Sequence, residues 1–93
     1  MAHGVLLDWD GTFAHFGTGL PLPGAVDTIR KMVKAGAVIV ITTQRSDDRQ
    51  IREVMLKYGI PIQDVLLNFP SPRLLINDQG AEAINRVTDQ PWM

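Results

Sequence analysis

The chain has no cysteine. That excludes a disulfide framework and a thiolate metal site. It also lacks an excess of charge, since 9 Lys and Arg against 10 Asp and Glu leave a net charge of −1. No basic footprint for nucleic acid follows from that balance, and no polybasic membrane patch. No apolar run approaches bilayer length, and no basic segment leads into a long apolar stretch at the start. The expected location is therefore cytoplasmic. Internal repeats and low-complexity segments are missing too. What remains is 93 residues, 45% apolar and 20% charged, the composition of one globular domain. A chain this short buries about 60–65% of its unfolded surface, enough for a modest core.

The most informative segment is Asp8-Trp9-Asp10-Gly11-Thr12, directly after the apolar run Val5-Leu6-Leu7. Residues i and i+2 of an extended segment point the same way. Asp8 and Asp10 can thus converge on one small volume at a strand end. Two like charges held that close are costly unless a cation or a shared proton offsets them. The pair implies a magnesium site, a carboxylate nucleophile beside an acid/base, or both. A solvated Asp-Gly turn is the plain alternative. An EF-hand loop is excluded, since it needs Gly at its sixth position and Glu at its twelfth, and position 19 is Gly.

Hydrophobic periodicity gives the rest of the outline. Val5–Trp9 is read as a first strand covered on both faces. Residues 13–20, with Phe13, Phe16, Gly17 and Gly19, form a hairpin or loop over the Asp8 end. Pro21 and Pro23 announce a helix over residues 24–35, with Gly36 at its C′ position. Ala37–Thr42 is a second, β-branched strand. Ser46 is the expected N-cap of a helix whose apolar stripe is Ile51, Val54, Met55 and Tyr58, stopped by Gly59 and Pro61. Val65–Leu67 is a short third strand and Leu74–Asn77 a fourth. Ala83–Val87 is either an edge strand or a helical turn.

Alternating strands and helices argue for an α/β domain with a parallel sheet and right-handed crossovers. Ligands in such sheets sit beyond the carboxyl ends of the strands. Asp8 and Asp10 end the first strand, Thr42 and Thr43 the second, Asn77 and Asp78 the expected fourth. Three polar groups far apart in sequence thus share one edge.

These three elements, Asp8-Trp9-Asp10-Gly11-Thr12, Val38-Ile39-Val40-Ile41-Thr42-Thr43 and Leu74-Leu75-Ile76-Asn77-Asp78, resemble in order the motifs of the haloacid dehalogenase superfamily of aspartate-nucleophile phosphatases. The similarity runs from Val5 to about Val87 and is greatest to small capless members. It implies a minimal three-layer Rossmann-like α/β fold around a central parallel sheet, with no cap domain. It further implies phosphomonoester hydrolysis through an aspartyl-phosphate. Asp8 would be the nucleophile and Asp10 the general acid/base, with Thr43 (or its neighbour Thr42) binding a phosphoryl oxygen. Asp8, Asp10 through its carbonyl, and Asp78 would hold Mg2+. The implied substrate is a sugar phosphate or a bulky phosphomonoester, and a second copy of the chain could cover the open site.

The chain departs from that pattern at one place. The family supplies a lysine before or within the segment leading to the fourth strand, yet no lysine follows Lys57. Arg73 or Arg45 stands in for its charge, although guanidinium is bulkier and differently shaped. That departure motivates a second hypothesis, a slow or inactive metal-binding or regulatory module on the same fold. A phosphoacceptor like a two-component receiver fits less well, because its acceptor Asp follows the third strand. His3 and His15 have no mutual metal spacing. Trp9, between the carboxylates, is read as packing rather than substrate stacking.

Overall fold

The computed structural model describes residues 3–78 and 80–84. Five elements follow in chain order: β1 (Gly4–Asp8), α1 (Ala25–Lys34), β2 (Val38–Thr42), α2 (Arg49–Lys57) and β3 (Asp64–Leu66). The strands form one parallel sheet in the order β1-β2-β3. Each boundary lies within one or two residues of its sequence signal, apart from the start of α2.

Register explains which side chains are buried. Leu7 pairs with Ile41, which pairs with Val65, and Val5 pairs with Ile39. These residues share one face by the two-residue period. Leu7, Ile39, Ile41 and Val65 join Ala25, Ile29 and Met32 of α1 and Ile51 and Met55 of α2 in a single buried cluster. Both helices pack on that face, as right-handed crossovers progressing in one direction would require. The other face carries Leu6, Val40 and Leu66, of which Leu6 is 57% exposed. The described residues therefore form two layers. A third layer over Leu6, as the three-layer expectation would place there, is not among the described residues.

Local signals explain the helices. Gly24, at φ 79°, is the N-cap of α1, so Pro21 and Pro23 lie just ahead of the helix. Gly36, at φ 100°, takes the left-handed position expected after α1 and donates to the Val33 carbonyl. Helix α2 starts later than expected. Its N-cap is Asp48 rather than Ser46, and Asp47 Oδ1 accepts from the Arg49 amide at 2.8 Å. A carboxylate next to a first-turn amide serves the helix dipole better than the hydroxyl one residue upstream.

The fourth strand is the main correction. Residues 73–77 are irregular, with Leu74 83% and Ile76 87% exposed. A parallel strand beside β1 would set Asp78 level with Asp8. Arg73 would then lie about 16 Å below it at strand rise. Instead Arg73 Nη1 meets Asp8 Oδ1 at 2.7 Å. That contact pins the start of the segment to the tip of β1, where its end was expected. Ala83 and Ile84 are irregular, and residues 85–87 lie outside the described residues.

Candidate functional site

The site stands at the carboxyl end of the sheet, where β1 and β2 stop side by side with Asp8 paired to Thr42. Beyond Asp8 the chain turns at once. The Trp9 carbonyl accepts from the amides of Thr12, Phe13 and Ala14, and the Gly11 amide donates to the Ala14 carbonyl at 2.8 Å. Gly11 makes this turn at φ 82°, a region costly for any residue with a Cβ. Trp9 and Phe13 point inward, fully buried and stacked at 4.9 Å between ring centroids. Trp9 is thus packing, as its sequence context indicated. Its indole Nε1 is buried without a hydrogen-bond partner.

Packing of Trp9 inward leaves its two neighbours at the surface end of the strand, half-buried. Each finds an arginine. Arg45 clamps Asp10 in a fork, with Nε donating to Oδ2 at 2.8 Å and Nη2 to Oδ1 at 2.6 Å. This hydrogen bond pushes the Arg45 guanidinium above its ordinary range, with partial burial opposing and the charge of Asp10 adding to it. Arg73 Nη1 donates to Asp8 Oδ1, and Thr12 Oγ1 donates to Asp8 Oδ2 at 3.0 Å. All four carboxylate oxygens are therefore engaged.

The arginines are themselves held in place. Arg45 Nη1 donates to Gln50 Oε1 at 2.8 Å, and Gln50 Nε2 donates to the Thr18 carbonyl at 3.0 Å. A chain of contacts thus runs from the loop between β1 and α1, through the first turn of α2, to Asp10. Arg73 Nη2 donates to the Phe69 carbonyl at 3.1 Å, and its guanidinium lies 5.4 Å from the Phe69 ring centre. Phe69 is placed by its amide, which donates to the Thr43 carbonyl, and by Asn68, which turns the chain at φ 54°. Asparagine is among the few non-glycine residues that tolerate that conformation.

Of the residues singled out from sequence, the structure gathers Asp8, Asp10, Thr43 and Arg73 at one end of the sheet. Thr43 is buried, and its Oγ1 accepts from the Arg45 amide at 3.0 Å. Asp78 is not gathered. It is exposed, and among the described residues no three of His, Cys, Asp and Glu stand close enough to hold a metal ion. Asp8 and Asp10 offer hard oxygens of the kind Mg2+ takes in its near-octahedral shell, one or two carboxylates sufficing beside phosphate and water, but as arranged both are engaged by arginines. His15 is exposed on the loop. The sequence offers Arg45 only as a spare charge and gives no sign of Gln50. The signal for Arg45 was its place three residues beyond the tip of β2.

Comparison with known protein families and with curated proteins finds no match. Among solved structures, the chain is similar to a target protein from Vibrio cholerae, with a TM-score of 0.58 and 22% identity. The match covers 84% of this chain and 81% of that one. At that identity it shows the fold alone: a small α/β domain with a parallel sheet. No helix of the described residues is long and apolar enough to cross a membrane.

Proposed function

We propose that the chain is a phosphomonoester hydrolase of the haloacid dehalogenase type, using Asp8 as nucleophile and Asp10 as proton carrier. The observation that carries this reading is the pairing of two strand-end carboxylates with two arginines around one open sheet edge. Guanidinium is the side chain best matched to phosphoryl oxygens. Asp8 Oδ would attack phosphorus in line, and the bond to the leaving oxygen would break as that oxygen takes a proton from Asp10. Water would then attack the aspartyl-phosphate, giving a proton back to Asp10 and releasing phosphate and free Asp8. Arg73 takes the place of the family lysine, next to the nucleophile and the charge that builds on the phosphoryl group. Thr43, buried and bonded to the Arg45 amide, would act on a phosphoryl oxygen only through Arg45, whose backbone it holds. Asp10 has both oxygens on Arg45, so it serves the leaving group only once that fork opens and the freed carboxylate has taken a proton from water. Magnesium enters no step of this scheme, since it would first have to displace an arginine.

The test is phosphate release from a panel of phosphomonoesters, with and without Mg2+, by the wild type, Asp8→Asn and Asp10→Asn. Asp8→Asn is expected to abolish release. Asp10→Asn should lower it about 10²–10⁴-fold, the range of general acid–base catalysis. Release unaffected by either change would refute the mechanism. A second reading is favoured by the engagement of all four carboxylate oxygens: a module that binds phosphate esters on its arginines without cleaving them. It predicts binding of an ester with no release by the wild type.

A further inference from the structure

The loop between β1 and α1 carries an exposed aromatic side chain over the turn that follows Asp10. Phe16 is 76% exposed. Its ring lies over Gly11, so close that a Cβ there would meet its edge. Gly11 follows Asp10 directly, so the ring covers the turn from which the proposed proton carrier projects. The loop that holds it is tied down. The His15 amide donates to the Leu20 carbonyl at 2.8 Å, the Gly19 amide to the His15 carbonyl at 3.1 Å, and Gln50 Nε2 to the Thr18 carbonyl. Ala14 bridges both Asp10 and Pro21. Exposing a phenyl ring in water forfeits burial that a core position would give. Ordering the loop in advance spares a ligand that entropic cost on binding. Leu20, also exposed, lies on the same loop.

We propose that Phe16 determines specificity and that the site takes phosphomonoesters whose leaving group carries a planar ring. The phosphoryl group would sit between Asp8 and the arginines, and the ring of the leaving group would stack offset on Phe16. This inference rests on the hydrolase reading for its kinetic test but not for its binding test.

The probes are 2-phenylethyl phosphate and propyl phosphate, both primary alkyl esters with chemically similar leaving groups. The wild type is expected to favour the phenylethyl ester in kcat/KM by about tenfold, the order that offset stacking supplies. Phe16→Ala should bring the ratio of the two esters close to one, and Phe16→Leu should keep a part of the preference. Using the ratio cancels any loss common to both esters. The same pair is titrated calorimetrically into Asp8→Asn protein, with and without Phe16→Ala. If the wild type releases no phosphate, the hydrolase reading fails and the binding ratio alone decides the role of Phe16. A preference for the phenylethyl ester that vanishes with Phe16→Ala, in turnover or in binding, supports the proposal. Equal use and binding of the two esters by the wild type, or a preference unchanged by Phe16→Ala, overturns it.

Discussion

Removing Arg45 should cost more stability than removing Arg45 and the charge of Asp10 together. Charges about 4 Å apart attract by about 4 kcal/mol at an effective dielectric of about 20. Much of that is lost to desolvation and to fixing two side chains. Exposed pairs measure about 0–1 kcal/mol, and breaking a buried pair costs about 3–5 kcal/mol. The Arg45 and Asp10 side chains are 28% and 24% exposed, which sets them between these limits. The two-point fork raises the expectation, because both hydrogen bonds are charge-assisted. A coupling of about 2 kcal/mol follows. Arg45→Ala alone also leaves the half-buried Asp10 carboxylate without its cation, so a loss of about 2–3 kcal/mol is expected. In a domain of this size that is a fall of about 10–20 °C in Tm. The measurement is a double-mutant cycle of Arg45→Ala and Asp10→Asn by urea denaturation. The double variant should be the more stable of the two that lack Arg45. A coupling below about 0.5 kcal/mol, the level at which independent sites add, would refute the reasoning. The Asp8–Arg73 pair, with one 2.7 Å contact and a more exposed carboxylate, should give a smaller coupling in a parallel cycle.

Three further outcomes are expected. Gly11→Ala forces a Cβ into a left-handed turn and against the Phe16 ring, so urea denaturation should show a loss of about 1–2 kcal/mol. Ile51→Ala empties a fully buried position between α2 and the sheet and should cost about 2–5 kcal/mol by the same measurement. Asp47 is held below the ordinary carboxylate range by hydrogen bonds from the Arg49 side chain and amide. Its contribution is present above the unfolded-state value of about 4 and is lost as pH falls through the lower folded value. Asp47→Asn should therefore destabilise at pH 7, and the gap between variant and wild type should close in denaturant titrations towards pH 2.

The fold was legible where a local rule and burial agreed. Val38-Ile39-Val40-Ile41 is β-branched, lies in the central strand, and pairs with β1 along its length and with β3 from Val40 onwards. Ile51 and Met55 keep helical spacing and do face the core. Leu74-Leu75-Ile76 misled because a short apolar run says what it would gain by burial, not whether anything covers it. Its position is decided by Arg73, sixty-five residues away from its partner Asp8 in sequence, and no periodicity reports such a contact. The site was half legible for the same reason. The Asp-x-Asp pattern fixes where two carboxylates stand, but their partners come from other segments. Arg45 and Gln50 occupy a stretch whose composition reads only as a solvated helix start.

The run of contacts from Thr18 through Gln50 and Arg45 to Asp10 has a thermodynamic corollary. Binding effects between linked sites are reciprocal. A ligand that draws the Asp10 carboxylate off its fork removes a restraint on Gln50, and with it one anchor of the surface loop. By the same amount of free energy, any molecule that grips this loop in its anchored form must oppose that release. Loop and carboxylate are two ends of one lever, and a contact made at the tip of the loop is felt at the proton carrier without touching it.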